Sequence, residues 1–121
     1  MSLPPHYSPS IRSGDLVFTS GQLPLINRST KETPDGIVAQ TQLVLKKVED
    51  ILQGYGLTRR HIIKTSAFIT DIEYWDEVNQ VYASFFGPDY KPARSILPIS
   101  NLHFGCLIEL EAIASFSIPS M

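Results

Sequence analysis

The chain has 121 residues, 43% apolar and 18% charged, with a formal net charge of −2. That length fits one domain spanning residues 1–121, excludes a two-domain enzyme with a separate cofactor module, and still allows roughly two-thirds of the unfolded surface to be buried. The charge argues against a nucleic-acid or membrane partner held by bulk electrostatics, which needs a basic excess.

The basic residues are scattered. Lys46–Lys47 and Arg59–Arg60 are the only adjacent pairs, and both read as solvated surface charge. A single cysteine, Cys106, precludes an intrachain disulfide and suits a reducing compartment. No segment reaches the ~18 consecutive apolar residues of a membrane span. The start, Met1-Ser2-Leu3-Pro4-Pro5-His6, lacks the basic residues and apolar stretch of a signal peptide. The expectation is a cytoplasmic protein.

In chain order, the first dozen residues are rich in Pro and Ser and read as extended. Leu16 to Ser20, β-branched and aromatic after the Ser13-Gly14-Asp15 turn signal, reads as a strand ending at Gly21. Residues 24–34 hold two prolines with Asn27, Ser29 and Thr30 and read as a loop. A helix begins near Pro34-Asp35. Val38, Thr41, Leu45, Val48 and Leu52 recur at helical spacing, widened by Ile37, Val44 and Ile51, so one broad face packs on a sheet until Gly54 and Gly56. His61 to Thr70 reads as a strand, and Thr70 or Asp71 can cap the next helix. In that helix Trp75, Val78, Val81, Tyr82 and Phe85 form a sheet-facing stripe ended by Gly87-Pro88. Arg94 to Ser100 reads as a strand interrupted by Pro98, which suits an edge or a strand end, Asn101 to Gly105 as a turn, and Leu107 to Phe116 as the longest strand candidate. The order β, α, β, α, β, β, with an extra N-terminal strand, predicts an α+β layer: one sheet with both helices on one face. A domain this small has no third layer for the other face, so the chain is expected to self-associate.

Alternation in the last strand sets Ile108, Leu110, Ala112, Ala114 and Phe116 against the helices. It leaves Glu109 and Glu111 among Leu107, Ile113 and Ser115 on the other face. If that face is solvated, the glutamates are ordinary surface charge. If a partner subunit buries it, a carboxylate there needs an opposite charge or a chemical task. Arg94, at the opening of its strand after Pro92, is the candidate partner. It either pairs with Glu109 or Glu111, or forms a bidentate fork for a small carboxylate ligand.

Tyr7-Ser8, Thr19-Ser20-Gly21-Gln22-Leu23-Pro24, Val78-Asn79-Gln80-Val81-Tyr82 with Phe85-Phe86, Pro92-Ala93-Arg94-Ser95 and Ile108-Glu109-Leu110-Glu111-Ala112-Ile113-Ala114 occur in the right order over essentially the whole chain. In these segments the chain resembles the Rid family of reactive-intermediate imine/enamine deaminases, the YjgF-like or L-PSP proteins. The resemblance implies a chorismate-mutase-like α+β fold and a homotrimer with sheets packed inward and active sites in clefts between subunits. It further implies hydrolysis of 2-aminoacrylate and related 2-imino acids to 2-keto acids and ammonia, with no metal and no cofactor. On that resemblance Arg94 grips the substrate carboxylate and Glu109 positions the attacking water. Tyr7 lines the pocket, and Ser20 and Gly21 form the backbone turn around the substrate.

Two positions depart from the family pattern. Ile96 stands where many deaminating members carry a cysteine, which predicts an altered pocket shape rather than lost activity. The segment Asn101 to Cys106 is unusual, and its His103 and Cys106, with His6 and His61 distant in sequence, read as packing or surface rather than metal ligands. Three other readings remain at this level. One is a non-catalytic trimer holding a small carboxylic acid as a sensor or enzyme partner. Another is an endoribonuclease, which the net charge disfavours. The third is a chorismate mutase, for which fold analogy is a poor warrant.

Overall fold

The computed structural model describes residues 3–118; Met1 and Ser2 of the N-terminal stretch read above lie outside the described residues. Five strands, β1 (Ser10–Ser13), β2 (Leu16–Thr19), β3 (Ile62–Ile69), β4 (Ala93–Pro98) and β5 (Ile108–Ser115), form one sheet in the order β1-β2-β5-β3-β4. Two helices, α1 (Gly36–Gln53) and α2 (Trp75–Phe86), connect them. All neighbours are antiparallel except β3 and β4, whose parallel pairing requires the α2 crossover. The α+β order read from the sequence is therefore the observed one.

The alternation of β5 decides the layering. Ile108, Leu110, Ala112 and Ala114 are buried with Val17, Ile62, Ala67 and Ile69 beneath Val44, Leu45, Val48 and Leu52 of α1 and Val78 and Val81 of α2. Each fully buried aliphatic side chain of this set stabilises the fold by about 1.5–3 kcal/mol relative to exposure. Thr41 lies in this apolar face because its hydroxyl donates to the Ile37 carbonyl oxygen at 2.7 Å, so burial leaves no unpaired group. Asp71 caps the turn into α2 by accepting from the Glu73 amide at 2.9 Å. Gly87 ends α2 at φ 79°, a conformation that favours glycine.

The structure corrects the sequence reading at several positions. Val38 and Trp75, assigned to the sheet-facing stripes, are exposed, because each helix meets the sheet over a narrower arc than its apolar residues cover. Arg59 is not solvated surface charge. It donates to both carboxylate oxygens of the nearly buried Glu49, at 2.6 and 3.0 Å, and to the Phe85 carbonyl oxygen at 2.6 Å, tying the ends of both helices to the entry of β3. Lys47 of the other pair is half-buried, and burial, then the neighbouring Arg28 charge, lower its pKa. The last strand is no longer than β3. β4 stops at Pro98 rather than Ser100, consistent with its place at the sheet edge.

Among the described residues, no second layer covers the face away from the helices. Ile11, Phe18 and Leu97 are exposed there, and the pairs Ile11–Phe18, Phe18–Ile113 and Phe68–Leu97 extend the apolar surface across the sheet.

Candidate active site

Glu109 opens β5 on the uncovered face, opposite Phe68. The chain leaving β2 runs past it. Gln22 and Leu110 exchange backbone hydrogen bonds at 2.7 and 3.1 Å, which carries the sheet one residue pair beyond β2. This bridge presses Gly21 against the glutamate so closely that a Cβ on residue 21 would stand 2.8 Å from the Glu109 carboxyl carbon. Any side chain at residue 21 would have to displace the carboxylate. Ser20 is fixed beside it: its amide donates to the Pro9 carbonyl oxygen at 2.9 Å and its hydroxyl to the Ser8 carbonyl oxygen at 2.6 Å. The same hydrogen bonds hold the N-terminal segment across the site, bringing in Tyr7, whose hydroxyl accepts from Arg28 at 3.1 Å.

Tyr7, Ser20, Gly21 and Glu109 thus line one cavity of about 530 Å³. The pKa of Glu109 is raised, first by burial and then by the Glu111 carboxylate, with His103 opposing. The protonated form is held closer to neutral pH than in an ordinary glutamate. Cys106 is buried, and burial followed by the Glu109 charge pushes its thiol up, so it is kept protonated and inert. Among the described residues, no group of three or more His, Cys, Asp or Glu side chains is gathered to hold a metal ion.

Arg94 lies elsewhere. It pairs with Thr65, which pairs with Ala112; residues so paired share a face, and that face is the one opposite Glu109. The ion pair with Glu109 or Glu111 considered from the sequence is therefore not formed, because strand alternation points the side chains to opposite sides of the sheet. Arg94 instead reaches over α2. One guanidinium nitrogen donates to Asn79 Oδ1 at 2.9 Å, and the group lies 4.9 Å from the Tyr82 ring centre and 5.2 Å from that of Trp75. Tyr82 is itself locked by a 2.7 Å hydrogen bond to Thr65, and burial raises its pKa to about 12, so it stays neutral beneath the arginine. Lys91 and Asn79 join Arg94 in a second cavity of about 620 Å³. The rings and the amide hold the guanidinium in one orientation without neutralising it, which leaves the rest of its fork for an anion.

Trp75, Asn79 and Tyr82, which set this orientation, were not singled out as site residues from the sequence. Their spacing of four and three residues on α2 was the available signal, since it puts them on one stripe.

Residues 2–116 match the family model described as Endoribonuclease L-PSP. The chain is 36% identical over 110 residues to the 2-iminobutanoate/2-iminopropanoate deaminase of Escherichia coli K12, a match covering 89% of this chain and 85% of that protein. It is 36% identical over 109 residues to the chloroplastic Reactive Intermediate Deaminase A of Arabidopsis thaliana, covering 90% of this chain and 58% of that one. Among solved structures, E. coli TdcF with bound serine matches with a TM-score of 0.85 at 36% identity, covering 96% of this chain and 91% of that one. The YjgF gene product of E. coli matches at 0.83 and 34%, covering 94% and 90%.

Proposed function

This chain belongs to the Rid/YjgF (L-PSP) family, and on that premise we propose that it is a cofactor-independent deaminase of 2-imino and 2-enamino acids, working in the cytoplasm as a homotrimer. The observation that carries the reading is the Glu109 pocket: a half-buried carboxylate with a raised pKa, held against Gly21 beside Tyr7 and Ser20. These are positions at which the chain resembles the deaminases of the family.

Arg94 and Glu109 face opposite sides of the sheet in one chain, so a cleft using both must join two copies. The apolar uncovered face, with Ile11, Phe18 and Leu97 exposed, supports such an assembly. In the proposed cleft Arg94 of one subunit grips the substrate carboxylate and Glu109 of another orients one water. The water oxygen adds to the C=N carbon while Glu109 takes a water proton and passes it to the nitrogen. The resulting carbinolamine collapses as its hydroxyl proton moves through Glu109 to the nitrogen. The C–N bond breaks, the C=O bond forms, and ammonia leaves. Such a carbon is already electrophilic, so the protein has only to fix the carboxylate, place the water and carry the proton. A glutamate pKa raised toward neutrality suits a group that must both take and return a proton.

A coupled assay tests the reading. A serine or threonine dehydratase supplies the imino acid, and 2-keto acid should appear faster with this protein than with buffer. Arg94→Ala should abolish the acceleration. Equal rates with and without the protein sink the proposal. Ligand binding through Arg94 without turnover would instead make the cleft a carrier or sensor site for a small carboxylic acid. The RNA cleavage named in the family's description finds little support in a chain of net charge −2, which lacks the basic excess that holds a nucleic-acid backbone.

A further inference from the structure

The Glu109 cavity carries more positive charge than the proposed reaction uses. Arg28, Lys31, Lys47 and His103 line it together with a single carboxylate, that of Glu109. In a chain of net charge −2, this is a local concentration of cations with no counterpart in the overall composition. Among the described residues the ion pairs are Lys46–Asp50 and Arg59–Glu49, so none of Arg28, Lys31 and Lys47 is paired with a carboxylate of those residues.

The backbone that carries two of these cations is held in place. The loop carrying Arg28 and Lys31 is closed by the Asn27–Glu32 bridge and by Asn27 Oδ1, which accepts from the amides of Ser29 at 2.8 Å and Thr30 at 3.2 Å. Lys31 sits at φ 62°, unusual for a residue with a side chain, and its ammonium lies 5.0 Å from the ring centre of Phe104, which itself has φ 62°. Arg28 is anchored to the Tyr7 hydroxyl by one nitrogen. Lys47 reaches the same cavity from α1, where burial and the Arg28 charge already disfavour its protonated form. An anion entering the cavity would relieve that repulsion.

We propose that the Arg28–Lys31–Lys47 cluster binds a second carboxylate, on the substrate's side chain, so that the preferred substrates are dicarboxylic 2-imino acids. The identity of the bound group as an amino-acid-derived imino acid rests on the deamination proposed above. Arg94 of another subunit holds the carboxylate next to the imine carbon, Glu109 serves that carbon, and the distal carboxylate lies toward Arg28 and Lys31. The chemistry stays balanced: the imine and one water give the dicarboxylic 2-keto acid and ammonia, and the second carboxylate takes no part in bond making.

The test compares two imino acids generated in situ by amino-acid-oxidising flavoenzymes, the one derived from glutamate and the one derived from alanine. The wild type should process the glutamate-derived imine with the higher kcat/KM. The ratio of the two should fall about two- to five-fold in Arg28→Gln or Lys31→Gln, the loss expected for a solvent-exposed ion pair. A ratio at or below one in the wild type, or a ratio the variants leave where it was, overturns the inference while leaving deamination standing. Calorimetry with the keto acids 2-oxoglutarate and 2-oxobutanoate separates the two proposals. Tighter binding of 2-oxoglutarate that weakens in Arg28→Gln supports the anion site even if neither imine is turned over, an outcome that sinks the deaminase reading alone. Equal binding of both keto acids counts against the anion site.

Discussion

Gly21→Ala perturbs the candidate site through a single contact. The backbone at residue 21 is not in the left-handed region, so alanine meets no conformational penalty there. Its Cβ would, however, stand 2.8 Å from Glu109 Cδ and 3.1 Å from both Cγ and Oε1, whereas ordinary contact begins at 3.4 Å. To regain ordinary contact one partner must move by 0.6 Å, the gap between the 2.8 Å and 3.4 Å separations. Residue 21 cannot give way easily, because Gln22 is tied to Leu110 in both directions and the Ser20 amide to Pro9. The Glu109 side chain moves instead. Such a displacement exceeds the ~0.5 Å tolerance of a productive constellation, and a misplacement approaching 1 Å costs about 100-fold in rate. The stability cost should lie near the lower end of the roughly 1–3 kcal/mol range for overpacking, since a half-buried carboxylate can rotate toward solvent. The expected result is a loss of kcat/KM of about ten- to 100-fold in the dehydratase-coupled assay, with a thermal midpoint only a few degrees lower. In a Glu109→Ala background the stability cost of Gly21→Ala should vanish, because the atoms it collides with are gone. If Gly21→Ala is as destabilising without Glu109 as with it, the close approach to the carboxylate is not what demands glycine here.

Other perturbations follow from the same geometry. Because the pKa of Glu109 is raised in the fold, its contribution favours the folded state below the unfolded pKa and is lost as pH rises through the folded one. Glu109→Gln should therefore be more stable than wild type at neutral pH in thermal melts, with the gap closing in acid, even as deaminase activity is lost. Glu111→Gln removes the second cause of that shift, so the acid limb of the pH–rate profile should move to lower pH. Thr65→Val leaves the buried Tyr82 hydroxyl without its 2.7 Å partner and should cost about 1–3 kcal/mol in urea unfolding. Arg59→Met strands the nearly buried Glu49 and should cost about 2 kcal/mol, less than for a fully buried pair because the arginine is partly exposed; an unaltered midpoint would mean that the bidentate contact contributes nothing.

The fold was largely legible because its signals are local. Apolar spacing in residues 36–53, alternation in residues 108–115 and the glycine at 87 each report secondary structure without long-range information. The two errors of burial, at Val38 and Trp75, arise where periodicity gives the apolar arc of a helix but not the width of the surface it meets. For Trp75 the difference bears on the proposed site, since the exposed indole flanks Arg94 instead of filling the core. The Arg59 contact escapes the sequence for a related reason: nothing in an Arg-Arg pair indicates a carboxylate ten residues earlier near the C-terminal end of α1.

Sequence alone determined the element order, the face of β5 that enters the core, and the residue types a carboxylate-binding hydrolytic site would need. It also singled out Arg94 and Glu109 as belonging together. Tertiary structure decided that they do not meet within one chain. Their separation depends on the register of three strands, from Arg94 through Thr65 to Ala112, and on the odd, three-residue step from Ala112 to Glu109. The positive rim around Glu109 likewise comes from Arg28 and Lys31 of one loop, Lys47 of α1 and His103 of a later turn, three separate segments that converge only when they are packed together. Alternation and helical period act over a few residues, whereas register and convergence are set by how whole elements pack.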